Sequence, residues 1–272
     1  MDKISARRRD AATRLRRCAL VALLLLQGPA AGPLWGAEEA ADNPSEAQAA
    51  RYADCMTLTE SEPDAAWEQA NAWLSFDGGN AAEHCAAVAL IAMGYEREGA
   101  ERLEDLAAHL RKPYAQLQTE ILAQAAQAWF LTGDYQRAYD VQTAALGKAP
   151  DDIELLIDRS VTSATLRDYH GAMDDLDKAH VLAPDRADVL VFRASAERRL
   201  KSLIAARADL DLALKLEPDN QEALLERGNL NRLTGNYQAA RDDWLRVVLI
   251  DDSTPTAAAA QRSLEKLDLP PE

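Results

Sequence analysis

The sequence lacks most of the residues and motifs on which enzyme active sites depend. Only four of its 272 residues are histidine and three are cysteine. It contains no Gly-rich phosphate loop and no Gly-x-Ser-x-Gly, His-Glu-x-x-His or Cys-x-x-Cys motif. His84 and Cys85 are adjacent, but neighbouring side chains on a helix point about 100° apart. Because a metal or catalytic site needs at least three converging groups, no enzyme activity, metal or cofactor is predicted.

Basic residues are fewer than acidic residues. The sequence has 30 lysines and arginines but 45 aspartates and glutamates, so its formal net charge is −15. An acidic surface repels phosphate backbones and anionic lipid headgroups, which argues against nucleic acid as a partner and against peripheral membrane binding. A basic protein partner stays open. The alternative interpretation is that the charge only keeps the protein soluble.

Long apolar stretches are absent apart from one near the N-terminus. Residues 1–17 carry seven basic side chains and the apolar run 18–26 follows at once, with small residues after it. This order predicts a secretory signal peptide over residues 1–37 and therefore a periplasmic or secreted protein. Cleavage is expected between Ala31 and Ala37.

An uncleaved N-terminal membrane anchor is the alternative, because the apolar run and its flank are just long enough to cross a bilayer. Pro29 and Pro33 argue against it. Cleavage removes seven basic and two acidic side chains, so the net charge of −15 becomes −20 in the mature protein. The residues that follow, 38–46, are rich in Ala, Glu and Asp and are predicted to be an acidic linker.

A period of 34 residues organises the rest of the chain. Pro150, Pro184 and Pro218 are each followed by Asp and stand 34 residues apart. Four windows of that length, from residue 119 to residue 254, align with one another. The aligned columns are Leu122, Leu156, Leu190 and Leu224; Ala138, Ala172, Ala206 and Ala240; and Ala145, Ala179, Ala213 and Val247. Columns that agree in this way define an internal repeat.

This order of residues resembles the tetratricopeptide repeat (TPR), a helix-turn-helix unit with a large apolar residue early, small residues where its helices cross and Pro at its exit. The resemblance covers 119–254 as four repeats and implies an all-α solenoid of antiparallel helix pairs. Two degenerate pairs are expected over 47–118, and a capping helix with a tail over 255–272. Gly228 alone carries the family's usual glycine, and leucine replaces the usual early tryptophan four times.

The resemblance also implies where a partner binds, because first helices in this family line the concave side. The residues that it designates are Gln127, Phe130, Leu131, Ile157, Val161, Val191, Ser195, Arg198, Arg199, Leu225, Asn229 and Arg232. The set is apolar at one end and carries three arginines at the other, so it suits a peptide whose acidic end meets those arginines. The alternative is that the arginines only balance surplus acid.

Together these features predict a protein-protein interaction scaffold of the periplasm or cell envelope, with a protein or peptide as its partner. One alternative is a structural subunit of an envelope assembly. A less favoured one is an enzyme whose site is grafted on the solenoid. The sequence does not identify the partner or the oligomeric state.

Two columns of the repeat change together. Windows two to four have arginine in one column and aspartate in another, whereas the first window has Ala125 and Val141 there. Paired replacement indicates contact, so a partly buried salt bridge is expected within each of three helix pairs. The expected bridges are Arg159 with Asp175, Arg193 with Asp209 and Arg227 with Asp243.

Two cysteines, Cys55 and Cys85, remain after removal of the signal peptide. An oxidising compartment favours their pairing. The resemblance places both on first helices, which stack side by side in this family, so a disulfide between them is expected. Two buried free thiols are the alternative.

Overall fold

The computed structural model describes residues 46–76, 78–110 and 114–268, and all regular structure within them is helical. The thirteen helices of this part of the chain are α1 Glu46–Ser61, α2 Pro63–Leu74, α3 Gly79–Ala92, α4 Glu96–His109, α5 Ala115–Thr132, α6 Tyr135–Leu146, α7 Ile153–Thr165, α8 Tyr169–Leu182, α9 Ala187–Arg199, α10 Leu203–Leu216, α11 Gln221–Leu233, α12 Tyr237–Ile250 and α13 Pro255–Asp268. The predicted all-α fold of repeated helix pairs is confirmed. The predicted signal peptide lies outside the described residues.

The helices group into two compact units, one ending at Pro150 and the other beginning at Asp151. In the first unit α1 pairs with α2, α3 with α4, and α5 with α6. In the second unit α7 pairs with α8, α9 with α10, and α11 with α12, and α13 packs against the last pair. The repeat pattern divides the chain at residue 119 instead. Helix α5 begins earlier, at Ala115, and packs against α4, so the first regular repeat lies with the degenerate pairs.

Small residues let the two helices of each pair approach. The four pivotal alanines, Ala138, Ala172, Ala206 and Ala240, are fully buried. Larger side chains at these positions would hold the backbones apart. Gly228 has a local reason, because a Cβ there would run into the indole of the completely buried Trp244. Gly228, the only glycine at its position in the four regular repeats, therefore packs against Trp244, the only aromatic residue at its own position.

Each regular pair turns through a left-handed residue after its first helix. Gly133 and Gly235 both have φ of 81°, and Arg167 and Lys201, at the same repeat position, have φ of 66° and 65°. Glycine takes this conformation freely because it has no Cβ, whereas other residues are strained there. The two central turns thus keep long cationic side chains where their neighbours have glycine.

The two ends of the described chain differ from one another. Helix α1 begins at Glu46, which the sequence predicted as the last linker residue. At the other end α13 buries Ala257 and Ala260 against Trp244, and Leu264 packs beside them. Such a helix covers the apolar face that the last pair of an array would otherwise expose. None of the described helices is both long and apolar enough to cross a bilayer.

Candidate partner-binding surface

The second unit contains an open cavity of about 240 Å³ between α7 and α9, the first helices of two neighbouring pairs. The buried residues Ala172 and Leu176 of α8 form its floor. Its lining residues are Ser160, Val161, Ala164, Thr165, Tyr169, Ala172, Leu176, Phe192, Ser195, Ala196 and Arg199. The cavity is therefore bounded by three helices of one compact unit.

Helical spacing brings the two walls of the cavity into register. Phe192, Ser195 and Arg199 of α9 are three and four residues apart, which places them on one face of that helix. On α7 the Thr165 hydroxyl donates to the carbonyl of Val161, at 2.8 Å, so it is used within the helix. The Ser160 hydroxyl donates to the carbonyl of Ile157 in the same way, at 2.6 Å. The apolar part of the recess is formed by side chains such as Val161 and Phe192, with Ser195 and the cation Arg199 beside them.

The structure brings together only part of the predicted contact set. Val161, Ser195 and Arg199 line the cavity. Ile157 and Val191 are 6 % and 7 % exposed, so they belong to the core and present little surface to a partner. These two positions carry the early apolar pattern of the repeat, which serves packing between helices.

Arg198 also differs from its predicted role, because it forms an ion pair with Glu226 of α11 inside the unit. Its neighbour Arg199 is exposed and has no ion-pair partner among residues 151–268. Helix spacing explains the contrast, since consecutive side chains point in different directions around a helix. Of the two arginines, Arg199 is the one that can meet a ligand at the cavity.

The remaining predicted residues lie elsewhere. Leu225 and Asn229 are half-buried on α11, and Arg232 is exposed at the end of that helix. The other three, Gln127, Phe130 and Leu131, belong to the first unit, and the ring centroid of Phe130 lies 5.0 Å from that of Tyr135. These positions do not join the cavity of the second unit.

Two aromatic residues of the cavity escaped the sequence prediction. Phe192 is 38 % exposed on the α9 wall, and Tyr169 contributes from the start of α8. Phe192 stands three residues before Ser195, at helical spacing, in a chain with only three phenylalanines. An aromatic residue at helical spacing from the predicted contact residue Ser195 was the signal that would have found it.

The repeated arginine and aspartate columns form the ion pairs that their joint replacement predicted. Arg159 donates to Asp175 at 2.8 and 2.6 Å, and Arg193 donates to Asp209 at 2.6 and 2.7 Å. Arg227 holds Asp243 in the same two-pronged way, with a shortest distance of 2.6 Å. All three aspartates are buried. The hydrogen bonds that Arg193 donates to Asp209 raise the pKa of Arg193, so its guanidinium stays charged.

Two of these arginines also contact the preceding helix pair. Arg193 Nη1 lies 3.4 Å from Asp177 of α8, and Arg227 Nη1 lies 3.8 Å from Asp211 of α10. Asp177 and Asp211 occupy the same repeat position and are exposed. Each arginine therefore links two aspartates from successive second helices, an arrangement that no single repeat window reveals.

Glu197 is the irregular member of this network. One turn after Arg193, it is 9 % exposed, and its Oε2 has no hydrogen-bond partner within the described chain. Burial, reinforced by Asp209 and Asp177, raises the pKa of Glu197 to about 7. Asn231 fills the same position in the next pair, where its amide donates to Asp243 at 2.9 Å. A protonated Glu197 is the closest match to that amide.

The first unit is held by different contacts. Cys55 and Cys85 form a disulfide with a Cα–Cα distance of 6.2 Å, which joins α1 to α3. Beside it, His84 Nδ1 lies 2.8 Å from the Tyr52 hydroxyl and His84 Nε2 lies 2.7 Å from Gln124 Oε1. Since an amide oxygen only accepts, His84 Nε2 carries the proton and Nδ1 accepts from Tyr52. His84 and Cys85, which are adjacent in sequence, therefore both connect α3 to α1, and His84 also connects α3 to α5.

Among the described residues, no group of three or more His, Cys, Asp and Glu side chains is placed to hold a metal ion. Burial also lowers the pKa of His84, which keeps the imidazole neutral near pH 7. Its two ring nitrogens are both engaged in hydrogen bonds. His84 is therefore a structural residue of the first unit.

Comparison with known proteins places the fold. No protein-family model and no curated protein matches the sequence. Among solved structures, PilF of Pseudomonas aeruginosa is 15 % identical, with a TM-score of 0.60 over 80 % of this chain and 98 % of PilF. MamA of Desulfovibrio magneticus RS-1, from residue 41 to its end, is 19 % identical, with a TM-score of 0.56 over 65 % of this chain and 97 % of that one.

YrrB, described as a TPR protein with an unusual peptide-binding site, is 13 % identical, with a TM-score of 0.51 over 71 % of this chain and 96 % of YrrB. Identities this low establish the fold alone. The chain has the TPR-like fold that its 34-residue period predicted.

Proposed function

We propose that this protein is an interaction scaffold that binds a peptide segment of a partner protein between α7 and α9. The single observation that carries the proposal is the cavity formed there by Val161, Phe192 and Arg199. Aromatic side chains and arginine, the types that Phe192 and Arg199 supply here, are enriched at protein interfaces. The peptide-binding site attributed to YrrB, which has the same fold, supports a peptide ligand.

The size and chemistry of the cavity favour a peptide over a small-molecule substrate. Its volume of about 240 Å³ is below the range of about 300–1,000 Å³ typical of sites for whole ligands. It is large enough for one branched or aromatic side chain. Its serine and threonine hydroxyls at positions 160 and 165 are engaged with the backbone of α7. An apolar anchor residue in an extended or helical peptide is the occupant that suits it best.

We place this scaffold outside the cytoplasm, in the periplasm or cell envelope. Two features support that location: the predicted signal peptide over residues 1–37 and the disulfide between Cys55 and Cys85. Disulfides persist in oxidising compartments and are rare in the cytosol. A structural subunit of an envelope assembly is the second candidate, and it differs in using a broad surface rather than one recess.

Site-specific photo-cross-linking in living cells tests the proposal. A photoreactive amino acid in place of Thr165, at the cavity rim, should give a discrete cross-linked product. The same amino acid in place of Ala239, which is exposed on α12, is the matched control and should not give that product. Combining the Thr165 probe with Ala164→Trp, which fills the cavity, should abolish the product. An unchanged product in the filled variant contradicts binding at this recess.

A further inference from the structure

One edge of the second unit carries a charge opposite to that of the whole protein. Arg167, Arg199, Lys201 and Arg232 are exposed, and none has an ion-pair partner among residues 151–268. We refer to these four residues as the cationic edge. Most other arginines of the unit are paired with acidic groups, as Arg159, Arg193 and Arg227 are. Lys215, Arg262 and Lys266 are also unpaired, but they lie on α10 and α13.

The fold gathers the four cations at the same place. Alternate helices of a stack of hairpins run in the same direction, and α7 packs on α9 as α9 packs on α11. The C-terminal ends of these three helices therefore share one edge. Arg167 and Lys201 follow α7 and α9 directly, while Arg199 and Arg232 stand in the last turns of α9 and α11.

Nearby acidic groups only partly offset the charge of this edge. Glu226 is engaged by Arg198. Asp168 caps α8, where its carboxylate accepts the N–H of Gly171 at 2.9 Å, and it offsets one of the four positive charges. Burial raises the pKa of Glu197 to about 7, so this carboxyl is only partly ionised at neutral pH. In a chain with a net charge of −15, four unpaired cations beside an apolar cavity form a local site for negative charge.

Backbone conformation gives an independent reason to regard two of these cations as selected for binding. Arg167 and Lys201 adopt φ of 66° and 65°, where the flanking pairs place Gly133 and Gly235. Stability alone favours glycine at a left-handed turn. Residues that keep a strained conformation against a simpler local choice are characteristic of functional sites. Arg199 and Arg232 can gain stability from the negative C-terminal ends of their helices. This gain does not require a long side chain at the left-handed position, where Arg167 and Lys201 lie.

We propose that the cationic edge and the adjoining cavity together select an acidic peptide segment, with one apolar side chain in the cavity and carboxylates against Arg167, Arg199 and Lys201. This inference rests on the proposed function and specifies the chemistry of its partner. The cavity supplies apolar burial, and the arginines supply charge-assisted hydrogen bonds to carboxylates. Arg232 extends the same charge toward the end of α11.

The test compares stability and affinity in a variant that restores glycine at both left-handed turns, Arg167→Gly with Lys201→Gly. The probe is a fluorescein-labelled peptide with one leucine followed by three glutamates, measured by fluorescence anisotropy against the mature protein. Loss of two surface charge contacts should weaken binding by about three- to thirtyfold. The melting temperature should be unchanged or higher, because glycine relieves the backbone strain. A merely structural role predicts the reverse, a lower melting temperature and unchanged affinity.

Two controls isolate the contribution of charge at this edge. Lys215→Gly with Lys266→Gly removes the same net charge elsewhere in the unit and should leave affinity within about twofold, because exposed charges more than about 10 Å away are screened. A peptide with glutamines in place of the glutamates should bind the unaltered protein at least about tenfold more weakly. Equal binding of the two peptides overturns the acidic preference and leaves the scaffold proposal standing. Failure of the acidic peptide to bind also overturns the inference, while cavity-dependent cross-linking decides the proposed function separately.

Discussion

The two units reach the same helical architecture with different stabilising contacts. The second unit repeats one device, an arginine that holds an aspartate in its own pair and approaches another in the preceding pair. The first unit has the Cys55–Cys85 disulfide, the Tyr52–His84–Gln124 hydrogen bonds and arginines stacked on tryptophan rings, each used once or irregularly. Where the sequence repeats, the contacts repeat, and where it has diverged, individual contacts hold the helices.

The disulfide makes the sharpest contrast between the units. Replacing both Cys55 and Cys85 with alanine should lower the free energy of unfolding by about 3–4 kcal/mol, because the bridge closes a loop between residues 30 apart in sequence. Urea unfolding of the mature protein, followed by tryptophan fluorescence, measures this loss. Reduction of the unaltered protein should reproduce it. A loss below about 1 kcal/mol in both experiments would mean that packing alone holds α1 against α3.

The repeated ion pairs should be the corresponding weak point of the second unit. Arg193→Ala should cost about 2–3 kcal/mol, because it leaves the buried Asp209 without its partner. The matched control is Arg246→Ala, whose ion pair with Asp219 is half-exposed or more on both sides, and it should cost less than about 1 kcal/mol. Chemical denaturation of the two variants measures both losses of free energy of unfolding. Equal losses would show that the arginine column adds no more than surface charge pairs do.

Glu197 should make the second unit less stable at neutral and higher pH than at pH 4.5. Its pKa in the folded protein is raised to about 7 from an ordinary value of 4.5, so the folded state binds the extra proton between these values and stability falls as pH rises across that window. Glu197→Gln mimics the protonated form. It should stabilise the protein at pH 8 by about 1–2 kcal/mol, less than the full linkage value because of solvent screening, and should have little effect at pH 4.5. Denaturation at both pH values provides the check, and an equal effect at the two would refute the titration.

The first unit should show the opposite pH dependence. Burial lowers the pKa of His84 from 6.5, so the unfolded chain takes up a proton below pH 6.5 before the folded protein does, and stability is lost as pH falls through that range. The loss should therefore grow steadily as the pH is lowered from 6.5 to 5.5. His84→Gln should be less stable overall yet flatter over this interval. Parallel pH profiles of the variant and the unaltered protein would exclude His84 as the titrating group.

Sequence reasoning succeeded where a feature recurred along the chain. The 34-residue period defined the helix pairs, and the joint loss of arginine and aspartate at Ala125 and Val141 pointed to the ion pairs; both of these residues are buried in the structure. The residues that line the cavity were only partly predicted, because they depend on which side of α7 and α9 faces solvent. That orientation buries Val191 and exposes Phe192, its immediate neighbour.

Contacts that join different repeats were beyond the reach of the sequence. The His84 hydrogen bonds connect residues 32 and 40 positions apart, which share no column of the repeat. The ion pair of Arg198 with Glu226 likewise depends on how two adjacent first helices pack. The left-handed conformations of Arg167 and Lys201 are indicated only by the repeat position that they share with Gly133 and Gly235, because long side chains do not themselves indicate such turns.

A crystal structure of the mature protein with the leucine-and-glutamate peptide would show directly whether the cavity between α7 and α9 binds a peptide. The leucine side chain should lie between Val161 and Phe192, with a glutamate carboxylate within about 4 Å of the Arg199 guanidinium. A peptide bound on α8, α10 or α12 with the cavity between α7 and α9 empty would contradict this prediction.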